Sequence, residues 1–294
     1  MNRSMIAGGV AVAVLATGVA AQAMTGAQLN LVVATATNIH FNEIRNLRPD
    51  STDGPVANGH MFVTHNWNPG GRGGHYFTHT VAATNADGFS IGTTDAGAMD
   101  LTTAFNTLFF LDGSPKTFYQ RATSANIQAN STVIDNALCN GNPQARLIVT
   151  PNVSTRGGIT GVLNPHNIGV WYNGSKWLVF NQDKAAMPVN TGFSVYVETS
   201  YGATVVAATS NVVANSLYLS NIPALSGGNT AVQIVVTPNW SPNGGGPNVY
   251  NNHAIGVWYD AARRQWAIYN EDQAPMPIGA AFNVDWDASQ ATPG

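Results

Sequence analysis

Alternation at period two runs through much of the chain. Phe193, Val195 and Val197 alternate with Ser194, Tyr196 and Glu198, and Ile168, Val170 and Tyr172 alternate with Gly169 and Trp171. In a strand, successive side chains point to opposite faces, so this pattern predicts strands with one apolar face. Leu147, Ile148 and Val149, and the stretch from Val232 to Val236, are apolar and β-branched and read as strands too. Turn signals stand between the runs: Asn173-Gly174-Ser175, Asn140-Gly141-Asn142-Pro143, and Asn243-Gly244-Gly245-Gly246-Pro247. Two β-rich runs joined by Asn-Gly predict a hairpin of 168–172 with 176–181. A second hairpin closes through a longer connection, 260–265. Helical periodicity is sparse, and the fold class expected is all-β.

The pattern repeats. His79, His166 and His253 are separated by steps of 87 and 87, and Asp95, Asp183 and Asp272 by 88 and 89. Met99, Met187 and Met276 keep the second spacing, as do Phe105, Phe193 and Phe282. The chain therefore reads as a leader, 1–23, followed by three tandem units, 24–115, 116–201 and 202–294. The first unit diverges: His79-Thr80-Val81-Ala82-Ala83-Thr84 stands where the others have H-x-I-G-V-W. Units of about 85 residues are large enough for a modest core of their own. The expectation is three β-sandwich or small-barrel domains of six or seven strands, arranged as beads on a string.

The run Tyr250-Asn251-Asn252-His253-Ala254-Ile255-Gly256-Val257-Trp258-Tyr259 follows a Gly-rich loop and leads to Trp266-Ala267-Ile268-Tyr269-Asn270-Glu271-Asp272, then Met276-Pro277 and Phe282-Asn283-Val284. This phrase resembles an uncharacterised tandem-repeat domain of secreted bacterial proteins, a family of unknown function. The resemblance covers the second and third units well and the first in part. It implies secretion and a β-rich repeat, and it brings no activity or site residues with it.

Composition narrows the function classes. Charged residues make up 9% of the chain and the net charge is −3, which gives no electrostatic reason to expect nucleic acid or an anionic membrane as partner. Asn, Thr, Ser and Gly take the place of charge. The leader has Arg3, an apolar stretch from Ile6 to Ala16, and Ala21-Gln22-Ala23 as a cleavage signature, so export to the periplasm or the exterior is expected, with no membrane span after cleavage. Cys139 is the single cysteine, which excludes an intrachain disulfide; burial of this thiol is the expectation, and a joint between two chains is the alternative.

Three constellations carry possible chemistry. Trp171, Trp177, Trp258, Trp266, Tyr172 and Tyr259 lie on the hairpins and are candidates for a glycan-stacking platform. The competing reading is core packing. Alternation forbids Trp171 and Tyr172 from sharing a face, so one of them meets another layer or lies open. The repeated His and Asp suit a metal or acid–base chemistry, or else Asx-type turns at 181–183 and 270–272, which the threefold recurrence favours. Finally, His60, His65, His75 and His79 crowd the first unit and are candidate ligands for Zn or Cu, which imidazole suits. No G-x-S-x-G, H-E-x-x-H or P-loop occurs. The expected function is a secreted, non-enzymatic repeat protein of surface attachment or extracellular structure, with a polysaccharide or glycan as ligand, no cofactor, and possible self-association. The alternative is a secreted hydrolase or metal-binding protein centred on the His-rich first unit.

Overall fold

The computed structural model describes residues 28–34, 39–40, 43–47, 59–71, 74–84, 89–153, 161–198 and 202–286. The leader, 1–23, lies outside them. Among the described residues each unit contributes seven strands. In the first these are β1 (Gln28–Val33), β2 (Ile39–His40), β3 (Glu43–Leu47), β4 (Gly59–Asn66), β5 (Val81–Thr84), β6 (Phe89–Thr93) and β7 (Ala104–Leu111). In the second they are β8 (Thr117–Arg121), β9 (Ile127–Gln128), β10 (Ser131–Val133), β11 (Arg146–Asn152), β12 (Ile168–Tyr172), β13 (Trp177–Asn181) and β14 (Gly192–Glu198). In the third they are β15 (Ala203–Val206), β16 (Val212–Val213), β17 (Ser216–Tyr218), β18 (Ile234–Pro238), β19 (Ile255–Asp260), β20 (Gln265–Asn270) and β21 (Ala281–Trp286). The fold is all-β, as the alternation indicates.

Every unit folds the same way. A three-stranded sheet (β1-β7-β4, β8-β14-β11 or β15-β21-β18) faces a four-stranded one (β2-β3-β6-β5, β9-β10-β13-β12 or β16-β17-β20-β19). The apolar faces of the two sheets meet in a core: Ile44, Met61, Phe89 and Phe105 in the first unit, Trp177, Val179, Phe193 and Val195 in the second, Trp266, Ile268, Phe282 and Val284 in the third. Both expected hairpins form, β12 with β13 and β19 with β20.

The units are not beads on a string. Each four-stranded sheet continues, in parallel register, into the three-stranded sheet of another unit. Ala83 of β5 pairs with Asn152 of β11, Val170 of β12 bridges Asn239, and Val257 of β19 pairs with Asn66 of β4. A further backbone bond follows each pairing, from Val153 N–H to Ala83 O, from Trp240 N–H to Val170 O and from Trp67 N–H to Val257 O. First joins second, second joins third, and third returns to first, so the chain closes into a ring with a pseudo-threefold axis.

The three-stranded sheets are buried on both faces, and their alternation shows why. On β4, Met61 faces its own unit's core while Phe62 faces the axis. On β14, Val195 and Val197 face the core while Tyr196 faces the axis. Phe62, Ile148 and Val235, at matching positions of β4, β11 and β18, form an axial core with Leu108, Phe110 and Tyr196. Each such apolar side chain contributes about 1.5–3 kcal/mol on burial. Asp285 stands where the other units have Leu108 and Tyr196, and it too is buried.

Next to this layer lies a cycle of hydroxyls. Val63 N–H donates to Thr150 Oγ1 (3.0 Å), Val149 N–H to Thr237 Oγ1 (2.8 Å) and Val236 N–H to Thr64 Oγ1 (2.9 Å). Each threonine thereby satisfies a backbone donor on the free edge of another unit's innermost strand, a group that is costly to bury without a partner. Thr150→Val keeps the shape and removes the acceptor. A loss of about 1–3 kcal/mol is expected, because the partly buried Val63 N–H loses its acceptor; urea denaturation monitored by tryptophan fluorescence checks it.

Candidate functional site

Hairpin register builds the repeated His–Asp feature. Val81 pairs with Thr93, Ile168 with Asn181, and Ile255 with Asn270. The histidine lies two residues before the first member of each pair, and the aspartate two residues beyond the second, so the two face each other. His79 Nδ1 lies 2.9 Å from Asp95 Oδ2, His166 Nδ1 2.6 Å from Asp183 Oδ2, and His253 Nδ1 2.7 Å from Asp272 Oδ2. The other carboxylate oxygen closes the turn, accepting from Gly97, Ala185 and Ala274 N–H. An Asx-type turn is therefore present, at 183–185 and 272–274 and not at the expected 181–183 and 270–272, and the same aspartate also holds an imidazole. Between each aspartate and its N–H partner sits a residue with left-handed backbone, Ala96, Lys184 or Gln273 at φ 61, 65 and 64. Non-glycine residues adopt that conformation at a cost of about 1–2 kcal/mol. Burial opposes ionisation of Asp272, but the Ala274 N–H and His253 outweigh it and hold the carboxyl below its usual range.

A fourth His–carboxylate pair is buried where the third unit meets the first. His65 Nδ1 is 2.5 Å from Glu271 Oε1, while Glu271 Oε2 accepts from Tyr269 Oη (2.5 Å) and Phe77 N–H (2.9 Å). Burial, followed by the neighbouring Glu271 charge, pushes the Tyr269 hydroxyl far above its ordinary value. Gly256 makes room for this carboxylate, since a Cβ there would stand 2.2 Å from Glu271 Oε1. His65 and Glu271 occupy positions that are Pro151 and Gln182 in the second unit. Two joint departures from the repeat, in different units, were the available sequence signal for this pair.

All four imidazoles line one cavity of about 100 Å³ at the axis, together with Thr64, Thr150 and Val236. Every unit contributes to its wall.

Of the histidines singled out in the first unit, His65 and His79 reach this cavity; the others do not join them. His75 pairs with Asp100 at 3.2 Å. His60 lies near the opposite end of β4, against the Tyr119 ring at 4.0 Å, and burial lowers it to about 4, opposed in part by Asp112. Among the described residues no three His, Cys, Asp or Glu side chains are gathered tightly enough to hold a bare metal ion.

The hairpin aromatics divide by alternation. Trp177 and Trp266 are fully buried and donate from Nε1 to Asn142 O and Asn229 O (2.9 Å each), with Tyr172 and Tyr259 buried beside them. Those four rings belong to unit cores. Trp171 and Trp258 point away and meet the adjoining unit, edge-on to Trp240 and Trp67 at 6.0 and 5.9 Å. Tyr250 packs on Trp240 and Phe180 in one seam, and Tyr76 on Trp67 and Tyr269 in another. In the third seam Val153 and Leu163 take the places of the tryptophan and the tyrosine. Tyr76, Leu163 and Tyr250 occupy the same position in their units and remain exposed by 46%, 48% and 38%. Sequence reasoning named none of them as a candidate: Tyr250 opens the family phrase, but the position varies between Tyr and Leu and lies before the hairpin. Cys139 is buried in the second unit's core, and burial, with Asp135 second, pushes its thiol up to about 11.

A family model described as a domain of unknown function (DUF7452) matches residues 83–197 and again 180–285. The chain belongs to this family. The two DUF7452 matches end on β14 and β21, the last strands of the second and third units, and each begins in the unit before. No curated protein and no solved structure matches the chain. No helix among the described residues is long and apolar enough to cross a membrane.

Two buried groups give the ring opposing pH responses. Burial, then Glu198, raises Asp285 to about 7. Between its unfolded value near 3.8 and that value the folded state holds a proton the unfolded chain lacks, so stability falls as pH rises. His60, lowered from 6.5 to about 4, has the opposite sign: across that window the unfolded chain holds the extra proton, and stability rises with pH. Asp285→Asn removes only the first response. The stability of the variant relative to the parent should therefore grow by about 1.4 kcal/mol per pH unit between pH 4 and 7, as read from urea midpoints at four pH values.

Proposed function

We propose that this DUF7452 protein is a secreted, non-enzymatic protein of surface attachment or extracellular structure, with a polysaccharide or glycan as its ligand. The observation that carries this reading is the exposed Tyr76 and Tyr250, each backed by a tryptophan at the seam between two units. A half-open aromatic ring on a rigid support offers a flat apolar face at small entropic cost. Asn167 and Asn252 lie near one another on the same side of the ring as the histidines and supply amides for hydroxyl groups. Two such seams on one rigid body suit a repeating ligand, because a second contact on a tethered chain adds avidity without new chemistry. The leader supports export, and the low charge suits a ligand that is itself uncharged.

The seams, not the hairpin tryptophans named first, are the surface to test. Retention of the purified chain on a panel of insoluble polysaccharides should fall at least tenfold in a Tyr76→Ala/Tyr250→Ala double variant. Its thermal midpoint should move by only a few degrees, since both rings are half exposed. Unchanged retention in a folded double variant would remove the reading.

A further inference from the structure

The axial cavity holds a set of groups that glycan attachment does not use. Four imidazoles line it, contributed by all three units: His65, His79, His166 and His253. In each, Nδ1 is engaged by a carboxylate, from Glu271, Asp95, Asp183 and Asp272 respectively. A carboxylate is an acceptor only, so each Nδ1 carries a hydrogen, and Nε2 is the nitrogen that accepts or ligates in the neutral ring. Imidazoles that ligate metals are held in this way, with the far ring nitrogen donating to a carboxylate that fixes the ring and raises its basicity.

The buried member of the set makes the demand specific. The His65 side chain is 3% exposed, and its Nε2 is buried without a hydrogen-bond partner. A buried, unpaired acceptor is costly, and a donor or a cation in the cavity relieves that cost. Among the described residues no lysine or arginine lines the wall. A carboxylate stands behind each of the four rings, so the field favours a cation over an anion.

The rings stand too far apart to ligate a bare ion. The cavity, about 100 Å³, has room for an ion with part of its hydration shell, as each water takes about 30 Å³ of liquid volume. Waters on a divalent cation point their hydrogens outward, which is what the Nε2 lone pairs require. We propose that the axial cavity binds one hydrated divalent transition-metal cation, through the Nε2 atoms of His65, His79, His166 and His253. The ion ties together side chains of the three units at the point where the ring closes. The inference rests on the four imidazoles and is independent of the glycan reading, which rests on Tyr76 and Tyr250 at the outer seams.

Zinc chloride titrated into the purified chain, followed by calorimetry and by metal analysis after dialysis, tests it. One Zn²⁺ per chain is expected, with a thermal midpoint that rises in zinc and returns in EDTA. Asp183→Asn should weaken uptake about 10–100-fold by releasing its ring. A His79→Ala/His166→Ala/His253→Ala variant, which changes only partly exposed side chains and so leaves the cores intact, should lose uptake. Three ions per chain would mean that the pairs act as separate surface sites and would overturn the proposal. So would absence of uptake, or uptake unchanged in the triple variant.

Discussion

The structure depends on three hydrogen bonds that run in a cycle. Thr64, Thr150 and Thr237 each accept a backbone N–H from another unit, so every unit both gives and receives one bond. Without them the innermost strands would press their free edges together with unpaired donors, and the axial core could not stay dry. With them, strands that would otherwise be exposed edges become interior. The parallel joints follow, since β4, β11 and β18 are then placed to be extended by the hairpins β19, β5–β6 and β12–β13. An edge buried in this way is also withheld from pairing with other chains.

Much of this architecture was legible from the sequence. The equal spacings of histidine, aspartate, methionine and phenylalanine mark three copies of one unit, and Asn-Gly and the alternation around it place β12 and β13 within a residue of their observed limits. Closure into a ring was not legible, for a physical reason. A strand with one apolar and one polar face reads as half-solvated, yet here the polar face, with Ser194, Tyr196 and Glu198, is pressed against two other units. Nothing local distinguishes a threonine that faces water from one that faces another unit's N–H. The long reach of these contacts, 87, 88 and 172 residues along the chain, puts them beyond any periodicity argument.

The candidate site was legible in its parts and not in its assembly. His79, His166 and His253 stand out by recurrence, and their aspartates with them, but the sequence does not bring them to one cavity. The cluster of histidines in the first unit drew attention to that unit alone. In the structure His60 and His75 go elsewhere, and the missing members of the set come from the other two units. The tryptophans suffered the opposite fate. Alternation separated Trp171 from Tyr172 and left two outcomes for the outward ring, another layer or solvent; it meets the neighbouring unit.

A linear array of repeats has two end units, each with one bare flank that must be capped by atypical sequence. This ring has none. Every unit is an interior unit, held by two joints, and unfolding has no loose end from which to start. The divergence of the first unit is therefore not that of a cap. Its Ala82 lies opposite Gly92, where the others set Gly169 opposite Phe180 and Gly256 opposite Tyr269, so two small residues stand where the other units place a glycine and an aromatic ring. That unit is a full member of the cycle, with an aromatic seam toward the third unit and a lean one toward the second.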